Sequence, residues 1–237
     1  MRNLLLFALL LSASIAGAQT RDTVTILHVN DSHSMLAPFG PRTQSLEGTQ
    51  GGIARVATVV GMSRMTDPNV LFVHNGDFMI GDLFFNKYFG VAELRILQAL
   101  GLDALNLSNH EFDLTPAVLT LALDSGFIGG NVPILTSNMI LPDGQFTSIS
   151  SRVQPQMIKQ YPSGKLGIFA LMTPATNLLS QPAPIFVDTN IIERVAAKVQ
   201  SLKTQGCDAI VFMSGLGVTI DKQIAANIPG IDVIIGG

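Results

Sequence analysis

From Thr23 to the last residue, short apolar or β-branched runs alternate with stretches whose apolar positions recur at helical spacing. The runs TVTILHV (from Thr23), VLFVH (from Val70), ALNLS (from Ala104), ILTSN (from Ile134), LGIFALM (from Leu166), AIVFMS (from Ala209) and IDVIIG (from Ile231) predict strands. Helical patterns fall near Ile53 to Met65, Val91 to Leu100, Pro116 to Ser125, Ile191 to Gln205 and Lys222 to Asn227. Pro116 behind Thr115 reads as a first-turn proline after a cap. Such alternation marks an α/β fold with parallel strands covered by helices. The stretch from Ser34 to Gly51, with two prolines and three glycines, is long enough for a functional or mobile loop.

Polar clusters sit directly behind three of these runs. Asp31 and His33 follow the first, Asp77 follows VLFVHNG, and Asn109, His110 and Glu111 follow ALNLS. In an open α/β sheet the ligand crevice lies outside the carboxyl ends of the strands, so the three clusters are expected on one edge.

Composition narrows what that edge binds. Hydrophobic residues make up 47% of the chain and charged residues 13%, which is the balance of a folded, rather apolar protein. The net charge of −3, with 14 scattered Lys and Arg, leaves no footprint for nucleic acid and favours a small-molecule partner. The opening MRNLLLFALLLSASIAGAQT reads as a secretory signal over residues 1–18, cleaved after Ala18, with the folded domain at 19–237; export to a periplasm or outside the cell is expected. Its apolar stretch is short of the roughly 18 to 20 residues of a membrane span. Cys207 lies among apolar neighbours and forms no internal disulfide, so burial is expected rather than reactivity.

The clusters have a chemistry of their own. Asp31 and His33, two residues apart in an extended segment, point the same way and can grip one divalent ion, although a solvated loop has the same pattern. Asp77 offers a carboxylate beside Gly76, which permits close approach; a turn or helix cap is the plainer reading. In SNHEFD, Asn109 offers an amide oxygen, and Asp113 lies three residues beyond His110, where one turn lets it orient the imidazole for general acid catalysis. Glu111 has no assigned role beyond capping the following helix. His28, inside the first strand, is expected in the core or behind a ligand, and His74 is expected to be structural.

In this order, ILHVNDSHSML, GGIARVATVV, VLFVHNGDFMIGD and LGLDALNLSNHEFD resemble the metallophosphoesterase (calcineurin-like) domain of the 5′-nucleotidase family, from about Thr23 to the end. The resemblance implies a layered α/β/β/α-like fold and a two-metal phosphate hydrolase acting on phosphate monoesters such as nucleotides through a metal-activated water. Carried over by position, Asp31 and His33 bind the first ion, Asp77 bridges, and Asn109 binds the second. His110, held by Asp113, stabilises the phosphoryl group or assists the leaving oxygen; Asn109 and His110 also meet the substrate. Ions of the Mn, Zn, Fe or Co class suit these mixed donors.

Two departures bear on activity. Where the family has a histidine in an S-H-x-G run, this chain reads Ser214-Gly215-Leu216-Gly217, and it ends at Gly237 before the family's G-H-x-H run. The second ion is thus expected to be poorly held, the C-terminal nucleoside-binding domain is expected to be absent, and the fold to be incomplete at that end. A non-catalytic relative that binds a metal or phosphate is the competing reading, and a different ester is a third.

Overall fold

The computed structural model describes residues 23–42, 48–130 and 132–237, so the proposed signal at 1–18 lies outside the described residues. Two sheets lie back to back. The first holds β1 (Thr25–Val29), β2 (Val70–Asn75), β3 (Ala104–Asn106), β4 (Ile134–Leu135) and β5 (Val153–Gln154), side by side in chain order and all parallel. The second holds β6 (Met157–Tyr161), β7 (Gly164–Leu171), β8 (Ala209–Ser214) and β9 (Val233–Gly236), again in chain order, with only the β6–β7 pair antiparallel.

Helices α1 (Ile53–Thr66), α2 (Val91–Ala99) and α3 (Pro116–Gly126) cross between the first strands, and α4 (Ile191–Thr204) and α5 (Val218–Asn227) between the last. The alternation within each strand sets the layers. Leu71 and Val73 of β2 face the other sheet with Ile168, Ala170, Val211 and Met213, whereas Phe72 faces the helices over the first sheet. Phe169 and Phe212 stack at 4.7 Å under α4 and α5. Strands buried on both faces read as continuous apolar runs, and the result is the expected α/β/β/α order, in two sheets where periodicity alone suggested one.

Several element boundaries differ from the sequence pattern, each for a physical reason. ILTSN is a strand only over Ile134–Leu135, because Ser137 N donates to the Ala170 carbonyl (2.8 Å) while the Asn138 amide pairs with both polar groups of the Met172 backbone (2.8 and 2.9 Å). That segment leaves the ladder to tie the sheets together. Thr115 has φ 83 and makes no side-chain cap, so Pro116 opens α3 without the expected capping bond. The Ser34 to Gly51 loop carries an antiparallel ribbon of Phe39–Arg42 with Gly48–Gln50; residues 43–47 lie outside the described ones. Cys207 is only half-buried. No described helix is long and apolar enough to cross a membrane.

One buried group works against the fold. Glu93, on α2, is 1% exposed, and neither carboxylate oxygen has a hydrogen-bond partner; burial raises its pKa despite the nearby Ser34 hydroxyl. It lines a cavity of about 210 Å³ with Ser32, Leu36, Ile53, His74 and Leu97. An unsatisfied buried polar group costs about 1–3 kcal/mol, so Glu93→Leu is expected to raise the thermal midpoint by several degrees at pH 8. The gain should shrink toward pH 4, where the wild-type carboxyl is protonated in both states; a pH-independent gain in scanning calorimetry would contradict this.

Candidate metal centre

The parallel order β1–β2–β3 puts three carboxyl ends side by side, and the three polar clusters emerge from them. Two loops then zip together: Asp31 N donates to the Gly76 carbonyl (3.1 Å), His33 N to Asp77 O (3.0 Å) and Ser34 N to Phe78 O (3.0 Å). Asp31, His33, Ser34, Asp77 and Ile80 all have positive φ, a concentration of strained backbone typical of functional loops. Gly76 (φ 89) makes the approach possible, since a Cβ there would lie 2.8 Å from Ser108 Cβ and 3.0 Å from Ser108 N. Beneath the edge, Asn75 Nδ2 donates to the carbonyls of Ser214 (2.9 Å) and Ile235 (3.0 Å), while Asn106 Nδ2 donates to Asn75 Oδ1 (3.0 Å) and Leu171 O (3.2 Å). Two buried amides thus stitch both sheets together below the site.

His33, Asp77 and His110 come together, each offering a ligand atom within 4.8 Å of the others. His33 Nδ1 donates to the Ile80 carbonyl at 2.9 Å, which fixes the tautomer and leaves Nε2 free as a ligand. His110 Nδ1 pairs with Asp113 Oδ2 at 2.7 Å, and Asp113 Oδ1 accepts from Ser180 Oγ at 2.6 Å, so the imidazole is held from behind as expected. The two rings meet edge to face at 4.9 Å. One imidazole–carboxylate–imidazole set of mixed N and O donors suits a borderline divalent ion.

The electrostatics match. Burial raises the Asp77 pKa, and the Asp31 carboxylate adds to it, against the His110 backbone N–H that donates to Asp77 Oδ1 at 3.2 Å. Burial disfavours the His110 imidazolium, but the hydrogen bond to Asp113 and the charges of Asp77, Asp113 and Glu111 outweigh it and raise the pKa. A cation held by His33 and Asp77 would favour the ionised form of Asp77 and leave His110 Nε2 beside it, free to meet a bound oxygen.

The other assigned residues are placed less tightly. Asp31 is exposed and outside the converging trio, with its carboxylate accepting from the Asn30 amide. Asn109 Oδ1 accepts from Ser108 Oγ at 3.4 Å beside the trio. His28 is exposed on the edge strand β1, not in the core as expected. His74 is fully buried, as a structural residue should be, with Nε2 2.9 Å from Ser32 Oγ and its pKa pushed down to about 4 by burial. Its neutral form is favoured in the fold, so it contributes a loss of about 3 kcal/mol of stability as the pH falls from 6.5 to 4. His74→Leu is expected to remove that loss: urea unfolding at pH 7 and pH 4 should show the variant gaining on the wild type toward acid.

Glu111 is the residue that sequence reasoning missed. It caps no helix; its 1% exposed carboxylate accepts from the N–H groups of Asp77 (3.0 Å), Phe78 (2.8 Å), Met79 (3.2 Å) and Ser108 (2.8 Å). Burial and the Asp77 charge push its pKa up to about 7, against those four donors.

The relatives of the chain point to one family. No family model matches it. A snake venom 5′-nucleotidase from Gloydius brevicauda is 33% identical over 237 residues, which is 99% of this chain and 40% of that protein. The chain spans about two fifths of the length of the curated relatives it matches. Among solved structures, a 5′-nucleotidase precursor from Thermus thermophilus superposes with a TM-score of 0.80 at 29% identity, over 90% of this chain and 41% of that one. A calcineurin-like phosphoesterase, YfkN from Bacillus subtilis, shares the fold at a TM-score of 0.69 and 22% identity, over 90% of this chain and 71% of its own. With the motifs, the two-sheet architecture and the converging donors on one edge, the chain belongs to the 5′-nucleotidase family, as its metallophosphoesterase domain.

Proposed function

We propose that this chain is an exported phosphohydrolase domain, spanning 19–237, that cleaves phosphate monoesters, with nucleoside monophosphates as the favoured class. The observation that carries the reading is the convergence of His33, Asp77 and His110, with both imidazoles locked by hydrogen bonds at Nδ1. His33 and Asp77, joined by Asp31, would hold one divalent ion of the Mn, Zn, Fe or Co class, and Asp77 with Asn109 a second. Such ions, when bound, supply Lewis acidity and a nucleophilic water at neutral pH.

The chain's own residues do the rest. His110, kept protonated longer by Asp113, can donate from Nε2 to a phosphoryl or departing ester oxygen. Ser180 holds Asp113, so the donor does not swing away between turnovers. The Asp77 main-chain zipper to Asp31 and His33 keeps the donors pre-positioned and spares the reaction that ordering cost.

A non-catalytic relative remains as the second reading, favoured by Gly215, which offers no donor where the family places an imidazole. Phosphate release from AMP by the Mn²⁺-loaded protein separates the two. Slow release, abolished by EDTA and by His110→Ala, is expected; none at all, with Mn²⁺ bound, would support the binding module and refute the hydrolase.

A further inference from the structure

We infer that Glu111 is a positioning residue for the metal centre: its carboxylate gathers four backbone N–H groups and so fixes the direction in which Asp77 is presented. The inference rests on the reading of this edge as a metal platform and extends it to a residue that would touch neither ion nor substrate.

The segment 77–79 is bound on both sides. Its three consecutive N–H groups converge on Glu111, Phe78 and Met79 through Oε1 and Asp77 through Oε2, which also accepts from Ser108. On the other side the carbonyls of Gly76, Asp77 and Phe78 accept from Asp31, His33 and Ser34. Asp77 has φ 54, and successive N–H groups around a left-handed residue form a concave nest that attracts an anion. In many proteins such a nest holds an external phosphate; here the protein fills it from its own chain.

A capping role does not account for this. The helix Leu83–Tyr88 is capped by Asp82, and α3 begins at Pro116 behind Thr115. The four amides belong instead to the turn carrying Asp77 and to Ser108, the residue that Gly76 abuts. Glu111 therefore joins the ends of β2 and β3 at the point where His110 N meets Asp77 Oδ1. Loosening that joint would free Asp77 to turn from His33 and His110.

Glu111→Gln tests it, with Glu111→Ala as the harsher variant. A glutamine keeps one acceptor oxygen and turns its NH₂ toward two N–H donors, so about half the clamp is lost. Calorimetric titration with Mn²⁺ is expected to show roughly 10- to 100-fold weaker binding for Glu111→Gln. Amide hydrogen exchange at Asp77, Phe78, Met79 and Ser108 should accelerate at least tenfold, with rates in β7 unchanged. Unaltered Mn²⁺ affinity alongside faster exchange would overturn the inference by leaving Glu111 a merely structural group, and so would unaltered exchange at these four amides. If the wild type bound no Mn²⁺, the metal-platform reading would fall and the inference with it, whereas failure of phosphate release alone would strike only the hydrolase reading.

Discussion

Asp77→Asn is expected to weaken Mn²⁺ binding by at least about 100-fold and at the same time to stabilise the metal-free protein. The first effect follows from position: Asp77 is the carboxylate of the converging trio, and loss of groups that only support a ligand already costs roughly 10- to 100-fold. The second follows from burial. Asp77 is 8% exposed and its pKa is raised, so the folded state prefers the neutral carboxyl while the unfolded chain ionises at the ordinary value. The fold then binds more protons than the unfolded state, and stability falls as pH rises from the usual carboxylate range to the raised value. Asparagine mimics the neutral form and can still accept from the His110 N–H through Oδ1. Scanning calorimetry in EDTA should show the variant melting a few degrees higher at pH 7.5 and level with the wild type near pH 3. Equal midpoints at pH 7.5 would mean that the site stores no electrostatic strain, and unchanged Mn²⁺ affinity would remove Asp77 from the ligand set. Such a trade between stability and function is the usual signature of a binding centre.

Much of this was legible in the sequence because the two periodicities involved are strong. Strands buried on both faces, such as VLFVH and AIVFMS, announce themselves as unbroken apolar runs, and the residues that follow them inherit the position of the strand end. That is why Asp31, His33, Asp77 and His110 could be placed on one edge, and why Asp113 behind His110 was readable from a three-residue offset. What the pattern could not carry was any contact that depends on how loops close. Glu111 looks like a helix cap from its neighbours, and its four amide partners come from the residues at 77–79 and at 108. The Asn75 and Asn106 amides, at the ends of β2 and β3, join two sheets whose separation no local period reveals. His28 lies outside the core for a related reason: alternation assigns it a face, but only the sheet order shows that β1 is an edge strand.

Gly215→His is expected to raise phosphate release at least tenfold and to add a second equivalent of bound Mn²⁺. Gly215 follows β8 directly; its N–H donates to the Leu171 carbonyl at 3.0 Å, and the Ser214 carbonyl before it accepts from Asn75, two residues ahead of Asp77. Position 215 therefore belongs to the same edge as the trio. The backbone there does not require glycine, since its φ lies outside the left-handed region. A Cβ would approach the Leu171 carbonyl to 3.2 Å, Thr173 N to 3.6 Å and Asn106 Nδ2 to 3.7 Å, a fit that a shift of a few tenths of an ångström accommodates. The fold can thus accept a side chain, and what the glycine removes is a donor. If the second ion is limiting, an imidazole here restores one of its ligands, and both stoichiometry and rate should respond together. A variant that folds, binds no further Mn²⁺ and turns over at the wild-type rate would show that the shortage of donors lies elsewhere on the edge. A wild type already near the enzymatic median of about 10 s⁻¹ would refute the premise that the second ion is poorly held.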